Sequence, residues 1–376
     1  MEPDGLSEEL AIERAISARP RAAVRRRWVG AAETATRLLA AGAGILLFGL
    51  ALQFMKAGAA GLGPFLKAIS AEGALPFLGL GWLGAALLMS GSPLAAVAVS
   101  LAAAGTVSTF EGLAMLSGSR MGASSSVLVV GFVLYLLRRR SADGLFIGVV
   151  ALLVASTLWL PALPLGLAFL HSAWFHPDNL AVPGAITEGV NGLYGPVVDW
   201  AQGHLHRLLL FAAGVAVLLV SFYVFDRALP QLDTEGLAAR RLHAFTRRAW
   251  AMFLLGLGVT AVTMSVSISV GLLVPLSLRG YVHRERVVPY IMAANLSTWV
   301  DTLAAAALLG SGAAVGMVLA EMAAGATLTL CVLLLLYRPY SRLLLAAARG
   351  VLGGRVRFAL FLAAYLAVPL ALLLLR

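Results

Sequence analysis

Met89-Ser90-Gly91-Ser92, then Gly105, then Gly118-Ser119-Arg120-Met121-Gly122-Ala123 is the stretch on which the reading of this chain turns. It recurs without a gap in the second half of the chain, as Met264-Ser265-Val266-Ser267, Gly280 and Ala293-Ala294-Asn295-Leu296-Ser297-Thr298. One constant offset, that of Met89 from Met264, relates every matched pair. Both copies interrupt long apolar sequence. Hydroxyls and small residues clustered twice at bilayer depth point to a membrane protein built from two repeats, a common plan among secondary transporters.

The composition agrees. Of 376 residues, 60% are hydrophobic and 12% charged, against about 25% charged in an average soluble protein. The apolar residues form long runs rather than alternating faces, as bilayer helices do. Cys331 is the single cysteine, so no disulfide framework exists. The net charge of +10 does not indicate nucleic acid, because the basic residues sit in short loops between apolar runs. No cleavable signal peptide is read: the first 36 residues are polar and of mixed charge. The basic segment from Arg19 to Trp28 is expected to lie against the cytoplasmic leaflet.

Full spans are expected at 38–57, 111–137, 144–170, 207–229, 289–309, 313–337 and 357–375, each close to the ~20 residues a bilayer helix needs. Arginines cluster after the second span (Arg138, Arg139, Arg140), after the fourth (Arg227, Arg240, Arg241, Arg247, Arg248) and after the sixth (Arg338, Arg342, Arg349, Arg355, Arg357). The stretch from His171 to His206 has no Lys or Arg but holds Asp178, Glu188 and Asp199. That places it outside, the arginines and the N-terminus inside, and Arg376 outside. Each repeat then holds an odd number of spans, so the second is inverted relative to the first. Lys56 and Lys67 are the only lysines, a usage that fits a GC-rich prokaryotic source and hence a plasma membrane.

The stretches 74–104 and 250–278 differ from the spans: the serine pattern breaks each near its middle. Each is expected to be a re-entrant helical hairpin whose tip meets the other near the midplane. Ser92 is read as an N-cap and Pro93 as the first helical residue of the second arm. The fold expected is therefore an all-α polytopic membrane protein with two inverted-topology repeats, about seven transmembrane helices and two re-entrant hairpins. Its parts are a basic N-terminal segment (1–37), a first repeat (38–170), an external loop (171–206), a second repeat (207–337) and a cytoplasmic linker with a C-terminal span (338–376).

Irregular backbone at that depth survives only if buried or lining a wet cavity. The tips offer free amides, carbonyls and the hydroxyls of Ser90, Ser92, Ser265, Ser267 and Ser269, which suit a hard cation or an oxyanion. The run Gly118 to Ser126, with Ser119, Ser124 and Ser125, and its twin, with Asn295, Ser297 and Thr298, lie at equivalent places beside the tips. Tight helix packing through small residues is the alternative for such runs.

These residues resemble the type II sodium–phosphate cotransporter family, over about residues 40–310. That family has a Gln-Ser-Ser-Ser motif in each of two inverted repeats, each followed by a Gly-Ala-Asn-Ile-Gly-Thr-type segment. Gly44-Ile45-Leu46-Leu47-Phe48-Gly49-Leu50 resembles its opening apolar stretch. The resemblance implies inward phosphate transport coupled to sodium, with Ser90, Ser92, Ser265, Ser267, Asn295, Ser297 and Thr298 as ligands. The family glutamine is Met89 and Met264 here, the middle serine is Gly91 and Val266, and the first asparagine is Arg120.

Arg120, Asp301 and Glu321 fall within expected spans. Ionisable groups there cost a few kcal/mol and mark function by default. Arg120 and Asp301 are expected to pair across the repeat interface. Arg120 would bind an anion or neutralise Asp301, and Asp301 would carry a coupling proton; a purely structural ion pair is the alternative. Glu321, with no mate in the first repeat, is expected to make a local helix–helix hydrogen bond. His171, His176, His204 and His206 read as surface histidines, not a metal site, and Trp159, Trp174 and Trp200 as an interfacial belt. No nucleophile–base pair, Walker or metalloprotease motif is present, so no enzyme is expected. The function expected is sodium-coupled phosphate symport by alternating access. The alternatives are a proton-coupled or other-anion transporter, and a non-transporting scaffold of the same fold.

Overall fold

In hydrocarbon, backbone polar groups must pair within their own segment, so long apolar sequence folds as helix. The computed structural model describes residues 34–68, 73–137, 143–175, 180–228, 248–278, 282–283 and 286–375, and every regular element among them is helical. The Arg19–Trp28 segment, Arg138, Arg139, Arg140, Arg240, Arg241, Arg247, His176, Asp178 and Ser267's side chain lie outside the described residues. In chain order the helices are α1 (Thr34–Leu66), α2 (Ala74–Leu88), α3 (Ser92–Ala103), α4 (Thr109–Ala123), α5 (Ser125–Leu137), α6 (Asp143–Leu170), α7 (Gly184–His204) and α8 (Arg207–Ala228). They continue with α9 (Ala249–Thr263), α10 (Val266–Leu278), α11 (Val288–Ser297), α12 (Trp299–Leu308), α13 (Gly312–Cys331), α14 (Tyr337–Leu352) and α15 (Arg355–Leu374).

Among the described residues 7 helical runs are long and apolar enough to cross a membrane: α1, α4 with α5, α6, α8, α11 with α12, α13 with α14, and α15. Large apolar side chains such as Leu87, Leu335, Val356 and Leu374 face outward, a surface suited to lipid rather than to water. The chain is thus a multi-pass membrane protein in its build.

α4 and α6 are buried along most of their length, while α1, α8 and α15 are largely exposed. α1 and α8 pack on each other in opposite directions. Gly44 lies against Phe225, Met55 against Gly214 and Gly58 against Phe211, so numbers rise along one helix as they fall along the other. Phe48 and Phe222 meet edge to face at 5.7 Å, and Ser221 Oγ donates to the Gly44 carbonyl at 2.7 Å. Lys56, a charge inside an apolar helix, donates from Nζ to the Leu309 carbonyl at 2.8 Å, and Gln53 donates to that of Leu308 at 2.9 Å. Both satisfy carbonyls at the C-terminal end of α12, where a cation also complements the helix dipole.

α2 and α9 are set out alike. Ala74 and Ala249 open them and Leu88 and Thr263 close them, each pair at the offset that relates Met89 to Met264. Each ends on a left-handed methionine, Met89 at φ 50° and Met264 at φ 49°, the two non-glycine residues with positive φ among those described. The chain then folds back. Gly84 lies under the Leu94 side chain, although residues ten apart in one helix are about 15 Å apart. In the second unit Thr260 Oγ1 donates to Ser269 Oγ at 2.6 Å, and the Tyr290 hydroxyl lies 2.9 Å from Ser269 Oγ and donates to the Ser269 carbonyl at 3.1 Å. Their counterparts in the first unit, Ala85, Leu94 and Met115, are all buried and apolar. One unit is braced by hydrogen bonds, the other by packing.

The helix beside each unit approaches it equally closely. A Cβ on Gly81 would strike the Met115 carbonyl, and one on Gly256 would strike the Tyr290 carbonyl, the same contact between the corresponding positions of the second copy. α4 starts where it does because Ser108 and Glu111 form a capping box. Glu111 also accepts from Gly73 N at 3.2 Å, fixing the start of α2 to the start of α4.

Several expectations need correction. Gly91, not Ser92, caps α3: Ala95 N donates to the Gly91 carbonyl at 2.8 Å and no side chain caps the helix. The loop expected at 171–206 contains the helix α7. Its apolar residues Ile186, Val190, Leu193 and Val197 follow a helical period, and most are exposed, as in a helix lying in a membrane interface. The linker expected after span six continues through a π turn, Val332–Leu336, into α14. Trp159 is no belt residue: it is buried edge-on against Trp299 at 5.7 Å, whereas Trp174 and Trp200 are exposed.

The repeated close approach makes a paired prediction. Gly81→Ala and Gly256→Ala each place a methyl against a carbonyl and are expected to destabilise the folded protein by about 1–3 kcal/mol. Gly258→Ala, where a Cβ meets nothing within 4 Å, should leave thermal unfolding in detergent unchanged or raise its midpoint.

Candidate functional site

The two breaks meet. Ser90, Gly91 and Ser92 from the first and Ser265 and Val266 from the second line one cavity with Arg120, Ala123, Asn295 and Thr298. All but Ser92 fall into pairs at the repeat offset: Ser90 with Ser265, Gly91 with Val266, Arg120 with Asn295 and Ala123 with Thr298. The cavity leaves about 10 Å³ free, room for one water or a small ion.

Its field follows from the backbone. The C-terminal carbonyls of α2 are tied off at the break, where Ser90 N donates to the Ala85 carbonyl at 3.1 Å and Met89 N to that of Ala86 at 3.3 Å. Met264 N likewise donates to the Thr260 carbonyl at 2.7 Å. The amide ends of α3 and α10 start at the cavity wall. Two helix N-termini and one guanidinium therefore converge there, each of which by itself attracts an anion.

Arg120 is buried at 3% exposure. Its Nη1 donates to Thr298 Oγ1 at 3.0 Å and to the Thr298 carbonyl at 3.4 Å, and its Nη2 donates to Thr302 Oγ1 at 3.0 Å. Its ion-pair partner is Glu321, with Nε 3.6 Å from Oε1. The expected direct pairing with Asp301 is thus corrected. Thr302 stands between the two, donating from N and Oγ1 to Asp301 Oδ1 at 2.7 and 3.2 Å, while Ser92 lies beside the same carboxyl. Asp301 Oδ2, both oxygens of Glu321, Arg120 Nε and Asn295 Oδ1 have no hydrogen-bond partner.

Six of the expected site residues line the cavity: Ser90, Ser92, Arg120, Ser265, Asn295 and Thr298. Others do not. Ser119 Oγ donates to the Leu116 carbonyl at 2.7 Å and Ser125 Oγ to that of Gly122 at 2.8 Å, both within their own run. Ser297 Oγ donates to the Leu257 carbonyl at 3.0 Å, holding α11 to α9. Ser124 is buried without a partner for its hydroxyl. Ser265 Oγ, besides lining the cavity, accepts from Ile268 N at 3.3 Å at the start of α10.

Asp301 borders a second, apolar chamber of about 270 Å³, with Gly44, Phe48, Phe222, Phe225 and Met264 in its wall. Met264 thus faces that chamber, and Met89 is half exposed. Neither methionine lines the polar cavity.

Glu321, expected to make a local helix–helix hydrogen bond, makes none among the described residues and pairs instead with Arg120; sequence reasoning left it out of the site. A carboxylate inside a span was the signal, but its position has Phe146 as counterpart, so the repeat gave no reason to place it at the site. No group of three potential metal-ligating side chains occurs among the described residues. His204 Nδ1 lies 2.7 Å from the Trp200 carbonyl, and His206 Nδ1 accepts from Leu208 N at 3.3 Å. Comparison with protein-family models, curated proteins and solved structures finds no match for this chain.

Arg120→Ala strands two buried carboxylates and is expected to cost about 3–5 kcal/mol of stability. Glu321→Gln should cost less and should recover part of the Arg120→Ala loss in the double variant. The coupling energy is read from a double-mutant cycle of thermal unfolding in detergent.

Proposed function

We propose that this chain is a secondary active transporter that carries an inorganic oxyanion, phosphate first, by alternating access at the cavity between the two helix breaks. The observation that carries the reading is that one cavity is lined from both units by residue pairs at a single offset, with two helix N-termini and Arg120 directed to it. Each helix–break–helix unit is then a re-entrant hairpin, and the units belong to two inverted repeats. Support for the inversion comes from α1 and α8, corresponding helices that pack in opposite directions. A further support is the odd number of long apolar runs that begin at α1 and end before α8.

The free space is about 10 Å³, room for no more than one water, so an oxyanion enters only when the tips part. Such parting, first to one side and then to the other, is what alternating access requires. The resemblance implies sodium as the driving ion, while the placement of the arginines supports a cytoplasmic N-terminus and the scarcity of lysine a plasma-membrane location. A proton-driven reading is favoured by one observation: Arg120 of the cavity wall is buried with two further ionisable groups, Glu321 as its ion-pair partner and Asp301 across Thr302. The methionines in place of the family glutamines do not weigh against transport, since neither lines the cavity. Ser90, Ser92, Ser265, Asn295 and Thr298 are the proposed ligands that hold the transported ions, with Arg120 on the anion.

Labelled phosphate uptake into proteoliposomes tests the reading, under an inward sodium gradient, an inward proton gradient or neither. Gradient-dependent uptake that Arg120→Ala abolishes is the expected result. Folded protein that moves neither phosphate nor sulfate under any gradient would return the chain to the scaffold reading.

A further inference from the structure

Arg120, Asp301 and Glu321 make an unequal set: two carboxylates share one guanidinium in the protein interior, at 3%, 5% and 1% exposure. If both carboxylates are ionised the set holds one uncompensated negative charge, costly in so dry a place. The two acids are not alike. Asp301 Oδ1 accepts two hydrogen bonds from Thr302. Glu321 accepts none on either oxygen, and its contact with Arg120 Nε, at 3.6 Å, is an ion pair too long for a hydrogen bond.

The groups around Glu321 offer no other compensation among the described residues. α13 packs on α3, α4, α6, α11 and α12. α3 has no titratable side chain. α4 brings Arg120 and, at its first turn, Glu111, which is engaged with Ser108 and Gly73. α6 brings only Asp143, at its N-terminal end, and α12 only Asp301. α11 brings Tyr290, held by Ser269. Sodium would need several oxygen ligands, and Glu321 is not among the residues lining the polar cavity. A proton needs only the carboxylate.

We propose that Glu321 is the coupling carboxylate: it takes up one proton, and its neutralisation releases Arg120 to hold an anion in the cavity. The inference rests on the anion-transport reading above and names the ion that drives it. The step is a protonation alone. The proton comes from water and joins a Glu321 oxygen, and the ion pair to Arg120 Nε is lost. The set changes from net negative to neutral, so the two helix N-termini and the guanidinium attract an anion that the ionised set repels. Anion and proton then bind together, and one pulls the other through the cycle. Return of the proton to water on the far side restores the ion pair and expels the anion. Arg120 is the ligand in this scheme, and Glu321 is a positioning residue acting through it.

The test uses the full chain in detergent and sulfate as probe, because sulfate keeps its charge over the range examined. Wild-type protein should bind sulfate about tenfold or more tightly at about pH 5.5 than at about pH 8, measured by thermal stabilisation without sodium. Glu321→Gln should bind it at both values with the affinity that the wild type shows in acid. Infrared spectra between the same two values should show a protonated-carboxyl band that Glu321→Gln removes. Equal wild-type affinity at both values, or affinity set by sodium instead of pH, overturns the proposal even if the variant fails to fold. So does a variant that keeps the wild-type pH dependence. If no anion binds at any pH, the transport reading itself falls. The infrared band then decides whether Glu321 carries a proton, and its absence removes that claim too.

Discussion

A helix that stops inside apolar surroundings must satisfy its last carbonyls and its first amides from within the protein. The two breaks answer that demand in one way. A left-handed methionine turns the chain, its amide (joined at the first break by that of Ser90) closes back on the last turn, and a new helix starts shortly afterwards with its amide end at a cavity. A non-glycine residue in that conformation costs roughly 1–2 kcal/mol. The strain is held because α4 and α11 press on the arms from outside, through the glycine contacts at Gly81 and Gly256. α4 and α11 lie this close to the arms only because those glycines have no side chain. Backbone approach, helix break and cavity are thus parts of one solution.

The electrostatics of the site are less balanced than its geometry. Cavity-lining positions repeat, but their charge does not: Arg120 has Asn295 as its counterpart. Placing a guanidinium in one copy required carboxylates nearby, and α12 and α13 supply them from the second half of the chain. Thr298 and Thr302 accept from the two Nη atoms, so the arginine is fixed even though its ion pair is long. The hydroxyls expected to act together divide by what the backbone leaves them. Those at the breaks face open space, while Ser119, Ser125 and Ser297 donate to helix carbonyls.

Much of this was legible in the residues. The spacing of Met89-Ser90-Gly91-Ser92 and its copy located both breaks and the cavity walls, because a duplicated pattern constrains position independently of any one side chain. Other features left weaker marks. α7 carries its apolar residues at a helical period, yet its glycines and polar residues read as loop. The capping box at Ser108 and Glu111 was readable but unused. The Arg120–Glu321 pair was hidden because Glu321 has the apolar Phe146 as its counterpart, and partners in different halves of the chain leave no local signal. Ser92 looked like a cap because Ser-Pro commonly opens a helix. Glycine in the preceding place took that role and left the serine hydroxyl beside Asp301.

A duplicated unit with identical halves would have no preferred orientation: its outward-open and inward-open forms would be mirror states of equal energy. Any bias between them must then come from positions where the halves differ. The brace within each helix–break–helix unit is one such place, with Thr260, Ser269 and Tyr290 hydrogen-bonded in one and Ala85, Leu94 and Met115 packed dry in the other. Hydrogen bonds lose value when water enters and packing loses value when neighbours separate, so the two tips resist opening by different physics. In a transporter of the proposed kind, the resting state would be set by substitutions that touch no ligand.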